Sequence, residues 1–212
     1  MRIETLDLGQ LSYAAALTVQ QTRVELTLSG GPATLIFVQH PLTISLGASF
    51  HAENLREEPD ILSARGYDVV RSDRGGDVTV HGPGQLVVYP IVPLEPLGKD
   101  LHRWIRGLET WLIAACAEVE ISARVFPPNT GVWVGDEKVA AIGIKVRRWV
   151  SFHGIALNCD NDLSMFDPVV PCGIRDYGVT SLTQVLGRTT TVDEMKPILE
   201  STFARQITAM LR

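Results

Sequence analysis

The sequence predicts an α+β fold in a single domain of mixed β-sheets flanked by helices. Three observations support it. Helices are read near both ends of the chain and, from apolar residues at helical spacing, in the middle; consecutive short alternating or apolar runs read as strands, and no repeat, low-complexity tract or charged linker divides the 212 residues. A chain of this length buries a substantial core.

Residues 11–28 read as a helix that Gly30, Gly31 and Pro32 stop. Residues 33–38 are a short apolar strand, broken at His40-Pro41. Residues 53–65 are expected to be helical up to Gly66, and 67–71 to be a strand. Residues 85–92 make another buried strand. Leu101, Trp104, Ile105, Leu108, Leu112 and Ala115 recur at helical spacing, with Trp111 slightly off the stripe. Residues 99–118 therefore form an amphipathic helix with Arg103 and Arg106 outside and both tryptophans in the core. Residues 131–135, 138–148 and 149–158 read as consecutive strands, with Gly135-Asp136 as a hairpin corner. Thr191 followed by Glu194 has capping-box spacing and opens a C-terminal helix, which Pro197 is expected to kink or divide.

Hydrophobic content of 45% and charged content of 20% are those of a globular protein. A net charge of -5 argues against binding nucleic acid by broad phosphate neutralisation. Arg71 with Arg74, Arg103 with Arg106, and Arg147-Arg148 are local basic clusters, read first as solvated faces. The N-terminal residues lack a secretory pattern and no stretch approaches a bilayer span, so no membrane association is expected. Cys116, Cys159 and Cys172 form no Cys-x-x-Cys pair, which argues against a disulfide framework or structural zinc and for a reducing cytoplasm.

Two segments carry chemistry. In residues 74–89, Gly75 and Gly76 stand beside Arg74 and permit close approach to a bound group. The two-residue period then sends Asp77, Thr79 and His81 to one face and Val78 and Val80 to the other. A solvent-facing strand with a glycine turn is the plain alternative. Far downstream, Cys172 lies between Pro171 and Gly173. A thiol becomes a nucleophile chiefly as thiolate, and Lys138, Lys145, Arg175 and His81 are the candidates to promote ionisation. Cys116 and Cys159 read as structural. The run from Asp160 to Ser164 fails as a calcium loop, with Met165 where glycine is needed and Pro171 where glutamate is needed. No Walker A pattern or dinucleotide glycine fingerprint is present, and no cofactor or metal is called for.

Taken in order, four segments resemble one family. They are Arg74-Gly-Gly-x-x-Thr-x-His81-x-Pro-Gly-Gln85-x-x-x-Tyr89, Lys138-Val-Ala-Ala-Ile-Gly143, Ser151-Phe-His-Gly-Ile-Ala-Leu-Asn158 and Pro171-Cys-Gly-Ile174. Together they resemble the lipoyl (octanoyl) transferases of lipoate biosynthesis, over about residues 34–185. The resemblance implies a fold shared with the catalytic domains of biotin and lipoate protein ligases, spanning residues 1–212. It implies transfer of octanoyl from acyl carrier protein to a lysine on lipoyl domains, those of 2-oxoacid dehydrogenase complexes and the glycine cleavage H protein. Cys172 would carry the acyl group and Lys138 would lower its pKa. Arg74, Gly75, Gly76, Asp77, Val78, Thr79, Val80 and His81, with Ala141, Ile142, Gly143, Gly154, Ile155 and Ala156, would line the acyl site.

Lys138 and Lys145 are seven apart, so strict alternation sends them to opposite faces, and only the resemblance favours Lys138. Backbone amides near Gly173 or Gly76 are candidates for the oxyanion site, and Arg147-Arg148 or Arg71 for docking an acidic carrier protein. The alternatives are an ATP-dependent lipoate or biotin ligase, a lipoyl-domain amidotransferase, and a non-catalytic binding module.

Overall fold

The computed structural model describes residues 1–170 and 177–212. Strand β1 (Ile3–Gln10) runs parallel to β2 (Ala33–Gln39), and helix α1 (Tyr13–Leu28) connects them. Strand β3 (Thr43–Leu46), helix α2 (Pro59–Ala64), β4 (Asp68–Arg71) and β5 (Val78–His81) follow. They form a small mixed sheet in the order β4-β3-β5. Strand β6 (Gln85–Pro93) returns to the main sheet, and α3 (Leu101–Ala117) packs against it. Next come β7 (Arg124–Phe126), β8 (Asn129–Val134), β9 (Glu137–Arg147) and β10 (Val150–Asn158). The chain closes with β11 (Gly178–Val179), α4 (Leu182–Leu186) and α5 (Val192–Met210). The large sheet has the order β1-β2-β6-β10-β9-β8-β7, with β11 beside β9.

Alternation in the central strands decides what covers each face. Leu35 and Phe37 of β2 and Leu86 and Val88 of β6 meet Trp104, Trp111, Met195 and Phe203 of α3 and α5. Their neighbours Ile36, Val38, Val87 and Tyr89 meet Ala16 and Val24 of α1 on the opposite face. Both tryptophans are core residues with satisfied indoles: Trp104 Nε1 donates to Ser151 Oγ at 2.9 Å and Trp111 Nε1 to the Leu199 carbonyl at 3.0 Å. Capping agrees with the sequence. Ser12, Asp100 and Thr191 accept backbone N–H groups at the starts of α1, α3 and α5.

Several expectations change. Residues 53–65 are not one helix but a 3-10 turn at Ala52–Asn54 and the short α2. Pro59, which cannot donate to a helix interior, takes the first position of α2. The intervening backbone is drawn away: Arg56 N–H donates to the Pro168 carbonyl at 2.8 Å, and Leu55 bridges Val169. Pro197 does not open a second helix, because α5 runs through it. Strands β1, β3 and β7 appear where none was expected.

A bulge matters most for the site. Trp133 pairs with Lys138 but Val132 pairs with Ala140, so β9 accommodates one extra residue. The two-residue period is broken there. Lys138 and Ala141, three apart, border one cavity. Beyond the bulge, Gly143 faces the Gly75 carbonyl and the Arg74 side chain, and Lys145 continues that face to pair with Asp73 at 2.9 Å. Opposite faces for the two lysines are therefore ruled out.

Candidate active site

The loop before β5 is stitched to the loop after β3. Gly47 N–H donates to the Asp77 carbonyl, Ala48 N–H to the Arg74 carbonyl and Ser49 N–H to the Gly76 carbonyl, at 2.9–3.0 Å. Gly76 sits at φ 87°, a left-handed conformation that favours glycine. The buried Arg74 guanidinium donates from Nε to Ser45 Oγ at 3.1 Å and from Nη2 to the Ser45 carbonyl. Asp77 accepts from the His51 N–H at 3.0 Å and from Asn54 Nδ2.

This loop, β5, β6, β9 and β10 enclose a narrow cavity of about 40 Å³. The structure brings together at its walls Arg74, Gly75, Gly76, Asp77, Thr79, His81, Ala141, Ile142, Gly143, Gly154, Ile155 and Ala156. Val78 and Val80 do not join them. Both are fully buried on the other face of β5, packed with Ile44, Leu62 and Phe166. Alternation had separated them from Asp77, Thr79 and His81. Their place in the acyl wall came only from the resemblance, and these two side chains do not border the cavity.

The cavity also takes in Tyr13, Val87, Tyr89 and His153, which sequence reasoning did not assign to the site. A second, smaller space shares Thr79, Ala141 and Ala156 with this cavity and is bordered by Lys138. The 6% exposed Lys138 holds Nζ 4.9 Å above the Trp133 ring, a cation–π distance. A wider groove of about 520 Å³, lined by Ser49, His51, Leu101, Asn129 and Lys138, opens from Gly75, Gly76 and Gly143 to solvent.

Small residues meet across the β9–β10 pairing, with Gly143 opposite Gly154 and Ala141 opposite Ala156. Both glycines serve packing as well as the cavity. A Cβ on Gly143 would lie 2.9 Å from the Gly75 carbonyl oxygen, and one on Gly154 would lie 2.1 Å from that of Val88. Gly154→Ala is expected to destabilise the protein by about 1–3 kcal/mol in urea unfolding through overpacking against the β6 backbone. A change within about 0.5 kcal/mol would contradict that.

Two buried histidines, His81 and His153, border the cavity and a third, His40, lies behind Tyr89; their partners fix each tautomer. His81 Nδ1 donates to Gln85 Oε1 at 2.8 Å; that amide is oriented because its Nε2 donates to the Val80 carbonyl and to Asn158 Oδ1. His40 Nδ1 donates to the Leu11 carbonyl at 2.6 Å, and its Nε2 accepts from the Tyr89 hydroxyl at 2.7 Å. His153 Nε2 donates to Asp73 Oδ1 at 2.7 Å. Burial holds all three imidazoles below their ordinary pKa; for His153 this outweighs the opposing bond to Asp73. Burial also pushes the Asp73 carboxyl up, but hydrogen bonds from His153 and Lys145 prevail and leave it below its usual range.

The folded state therefore binds fewer protons at these imidazoles than the unfolded chain does. Their stabilisation is complete above about pH 6.5 and is lost as pH falls through the depressed folded values. Urea midpoints should decline between about pH 7 and pH 5, and a flat profile would contradict three buried neutral histidines.

Of the cysteines, Cys116 and Cys159 are free, buried thiols, and burial pushes Cys116 up to about 12 and Cys159 higher still. Neither has the setting of a nucleophile. Cys172, with Pro171, Gly173, Ile174 and Arg175, lies outside the described residues. The described chain on either side is anchored beside the cavity. Val170 N–H donates to the Asn54 carbonyl at 2.8 Å, and Gly178–Val179 pairs with Glu137–Lys138. Thr180 N–H donates to the Lys138 carbonyl at 3.0 Å, and the Thr180 carbonyl accepts from Asn158 Nδ2 at 2.9 Å. Among the described residues no cluster of three His, Cys, Asp or Glu side chains is set to hold a metal ion, and no helix is long and apolar enough to cross a membrane.

Comparison with known proteins agrees with this geometry. Residues 12–204 match the lipoyl protein ligase A/B catalytic domain. An octanoyltransferase of Geobacter sp. (strain M21) is 43% identical over 190 residues, covering 90% of each chain. The mitochondrial octanoyl-[acyl-carrier-protein]:protein N-octanoyltransferase of Danio rerio is 41% identical, covering 99% of this chain and 94% of its own. In fold, the structure is similar to that of the bi-partite lipoate protein ligase of Thermoplasma acidophilum, with TM-score 0.78, 16% identity and coverage of 98% and 84%. It is also similar to the biotin protein ligase of Aquifex aeolicus, with TM-score 0.56, 14% identity and coverage of 100% and 70%. A cavity walled by the motif segments, a ligase-type mixed sheet and relatives above 40% identity over nearly the whole chain lead to one conclusion: the chain belongs to the octanoyltransferase family, within the lipoyl protein ligase A/B catalytic domain class, and is an acyltransferase.

Proposed function

We propose that the chain moves an octanoyl group from the thioester of acyl carrier protein to a lysine of lipoyl domains, through a thioester on Cys172 with Lys138 as its proton partner. The acceptors are the lipoyl domains of 2-oxoacid dehydrogenase complexes and the glycine cleavage H protein. Residues 1–212 act as one catalytic domain in the cytoplasm. The observation that carries this reading is the narrow cavity bounded by residues 74–77, 79, 81, 141–143 and 154–156, which shares Thr79, Ala141 and Ala156 with a smaller space at the buried Lys138.

In the first step Cys172 Sγ, as thiolate, attacks the thioester carbonyl. The new C–S bond forms as the bond to the carrier's sulfur breaks, and the departing thiolate takes a proton from the Lys138 ammonium, which leaves Nζ neutral for the second step. In the second step the acceptor amine attacks the enzyme thioester, Lys138 Nζ accepts the amine proton, and Cys172 leaves as thiolate. The Lys138 ammonium stabilises both thiolates. An N–H of Gly76 or Gly173 is in the right part of the sequence to meet the oxyanion. Each methylene of the chain contributes about 0.8 kcal/mol when buried, so the cavity supplies several kcal/mol of binding.

An ATP-dependent ligase of the same fold is the competing reading. Among the described residues lining the wide groove, Lys138 and His51 are the basic side chains and Asp77 adds an acid. That is a poor cradle for a triphosphate, which calls for several cationic contacts. The amidotransferase alternative differs only in its donor. Transfer to a purified lipoyl domain should proceed from octanoyl-acyl carrier protein without ATP. Transfer that requires free octanoate and ATP, or that runs only from an octanoylated lipoyl domain, would overturn the assignment. Arg147 and Arg148 remain the docking candidates only for a carrier that reaches the site through its extended prosthetic arm. They lie nine and ten residues along from it, at or just past the far end of β9, roughly 30 Å away at the rise of an extended strand.

A further inference from the structure

We propose that Tyr13, Tyr89 and His153 form the closed end of the acyl cavity and set the longest chain the enzyme accepts, an inference that rests on the acyl-transfer reading above. All three border the narrow cavity. None borders the wide groove or the smaller space at Lys138. A chain whose carbonyl lies at the Lys138 end therefore points its methyl terminus toward them. They are 3%, 3% and 1% exposed.

The wall is polar, yet its groups are paired with one another and with the protein behind it. Tyr13 Oη and Ser72 Oγ share a hydrogen bond at 2.7 Å, Tyr89 Oη donates to His40 Nε2 at 2.7 Å, and His153 Nε2 donates to Asp73 at 2.7 Å. The rings also pack on each other, with Tyr13 and His153 centroids 6.5 Å apart and Tyr89 and His153 6.4 Å apart. His153 is held at φ 53°, an unfavourable backbone conformation for a non-glycine residue, and its N–H donates to Gln20 Oε1 at 2.8 Å. Gln20 and Tyr13 both belong to α1, so one helix braces two sides of the wall. The proposed chemistry of bond transfer uses none of these groups.

Magnitudes decide how sharp the limit is. Burying one more methylene strengthens binding about fourfold. Separating a buried hydrogen-bonded pair so that a polar group is orphaned weakens it by roughly 5- to 150-fold. A chain one methylene longer thus loses more by pushing into this wall than it gains by burial. The four extra methylenes of a dodecanoyl chain, worth about 250-fold if all were buried, need all three pairs separated. An apolar end wall, free to repack, would give way more easily.

The test compares kcat/KM for carrier protein loaded with hexanoyl, octanoyl, decanoyl or dodecanoyl chains. The wild-type enzyme should discriminate against dodecanoyl relative to octanoyl by roughly tenfold or more. Tyr13→Ala, which empties the end of the cavity, should raise the dodecanoyl-to-octanoyl ratio by roughly tenfold or more. Tyr13→Phe and Tyr89→Phe keep the rings and remove one hydroxyl each, so they should raise it by less, about fivefold. They also carry the test should the alanine variant fail to fold. Wild-type length ratios in folded variants, or a wild-type enzyme indifferent to chain length, would overturn the proposal. Failure of the transfer reading looks different: no chain of any length would move. Binding of free fatty acids of the same lengths would then report on the wall by itself, and variant length ratios equal to wild type would again overturn it.

Discussion

Cys172→Ala is expected to lower octanoyl transfer by roughly 10³-fold or more, with the fold and donor binding kept. The expectation follows from elimination as well as resemblance. Cys116 and Cys159 are buried in the core, with burial raising both thiols far above neutral pH, so neither can replace a missing thiolate. The cavity walls offer the Thr79, Tyr13 and Tyr89 hydroxyls, but Thr79 is buried and burial raises both tyrosines above their ordinary pKa. A single-turnover assay with octanoyl-acyl carrier protein and a lipoyl domain checks it. Loss of less than about tenfold would place the chemistry elsewhere.

Lys138→Ala should have the second-largest effect, a fall of about 10²–10⁴ in transfer rate, the range for losing a positioned proton-transfer group. It should also move the pH profile of Cys172 alkylation upward, because the cation that favours thiolate is gone. Lys145→Ala is the matched control. Lys145 is 43% exposed at its side chain and paired with Asp73, whereas Lys138 is buried beside the smaller space that shares walls with the cavity. An unchanged alkylation profile in Lys138→Ala, or the larger shift in Lys145→Ala, would reverse the assignment.

The comparison of these lysines shows where reading the sequence stops. Alternation is a reliable guide in β5, where it separates Thr79 and His81 from Val78 and Val80 as the structure does. It fails on β9, because a bulge leaves no signature in the residues themselves and depends on how β8 pairs with it. Tyr13 escaped notice for a related reason. It is the first residue of α1, 62 residues before Gly75, and only the packing of α1 over β6 and β10 brings it to the cavity. His153 stood inside a quoted motif, but its left-handed backbone and its bond to Asp73 are tertiary facts.

Helix α1 was legible from the Gly30-Gly31-Pro32 stop, α3 from its periodicity and α5 from the Thr191 cap, since local chemistry fixes each. The expected helix over 53–65 failed because tertiary hydrogen bonds to Pro168 and Val170 outcompeted local propensity. Strand β1 did carry a signal, the alternating Leu6, Asp7 and Leu8, but an edge strand at a chain end is easily passed over.

The most direct measurement of the central claim is the intact mass of the protein after mixing with octanoyl-acyl carrier protein alone. The account predicts one octanoyl adduct on the wild-type chain, released by hydroxylamine as a thioester, discharged on adding a lipoyl domain, and absent from Cys172→Ala. An adduct of the same mass on Cys172→Ala, or transfer at the wild-type rate by that variant, would contradict it.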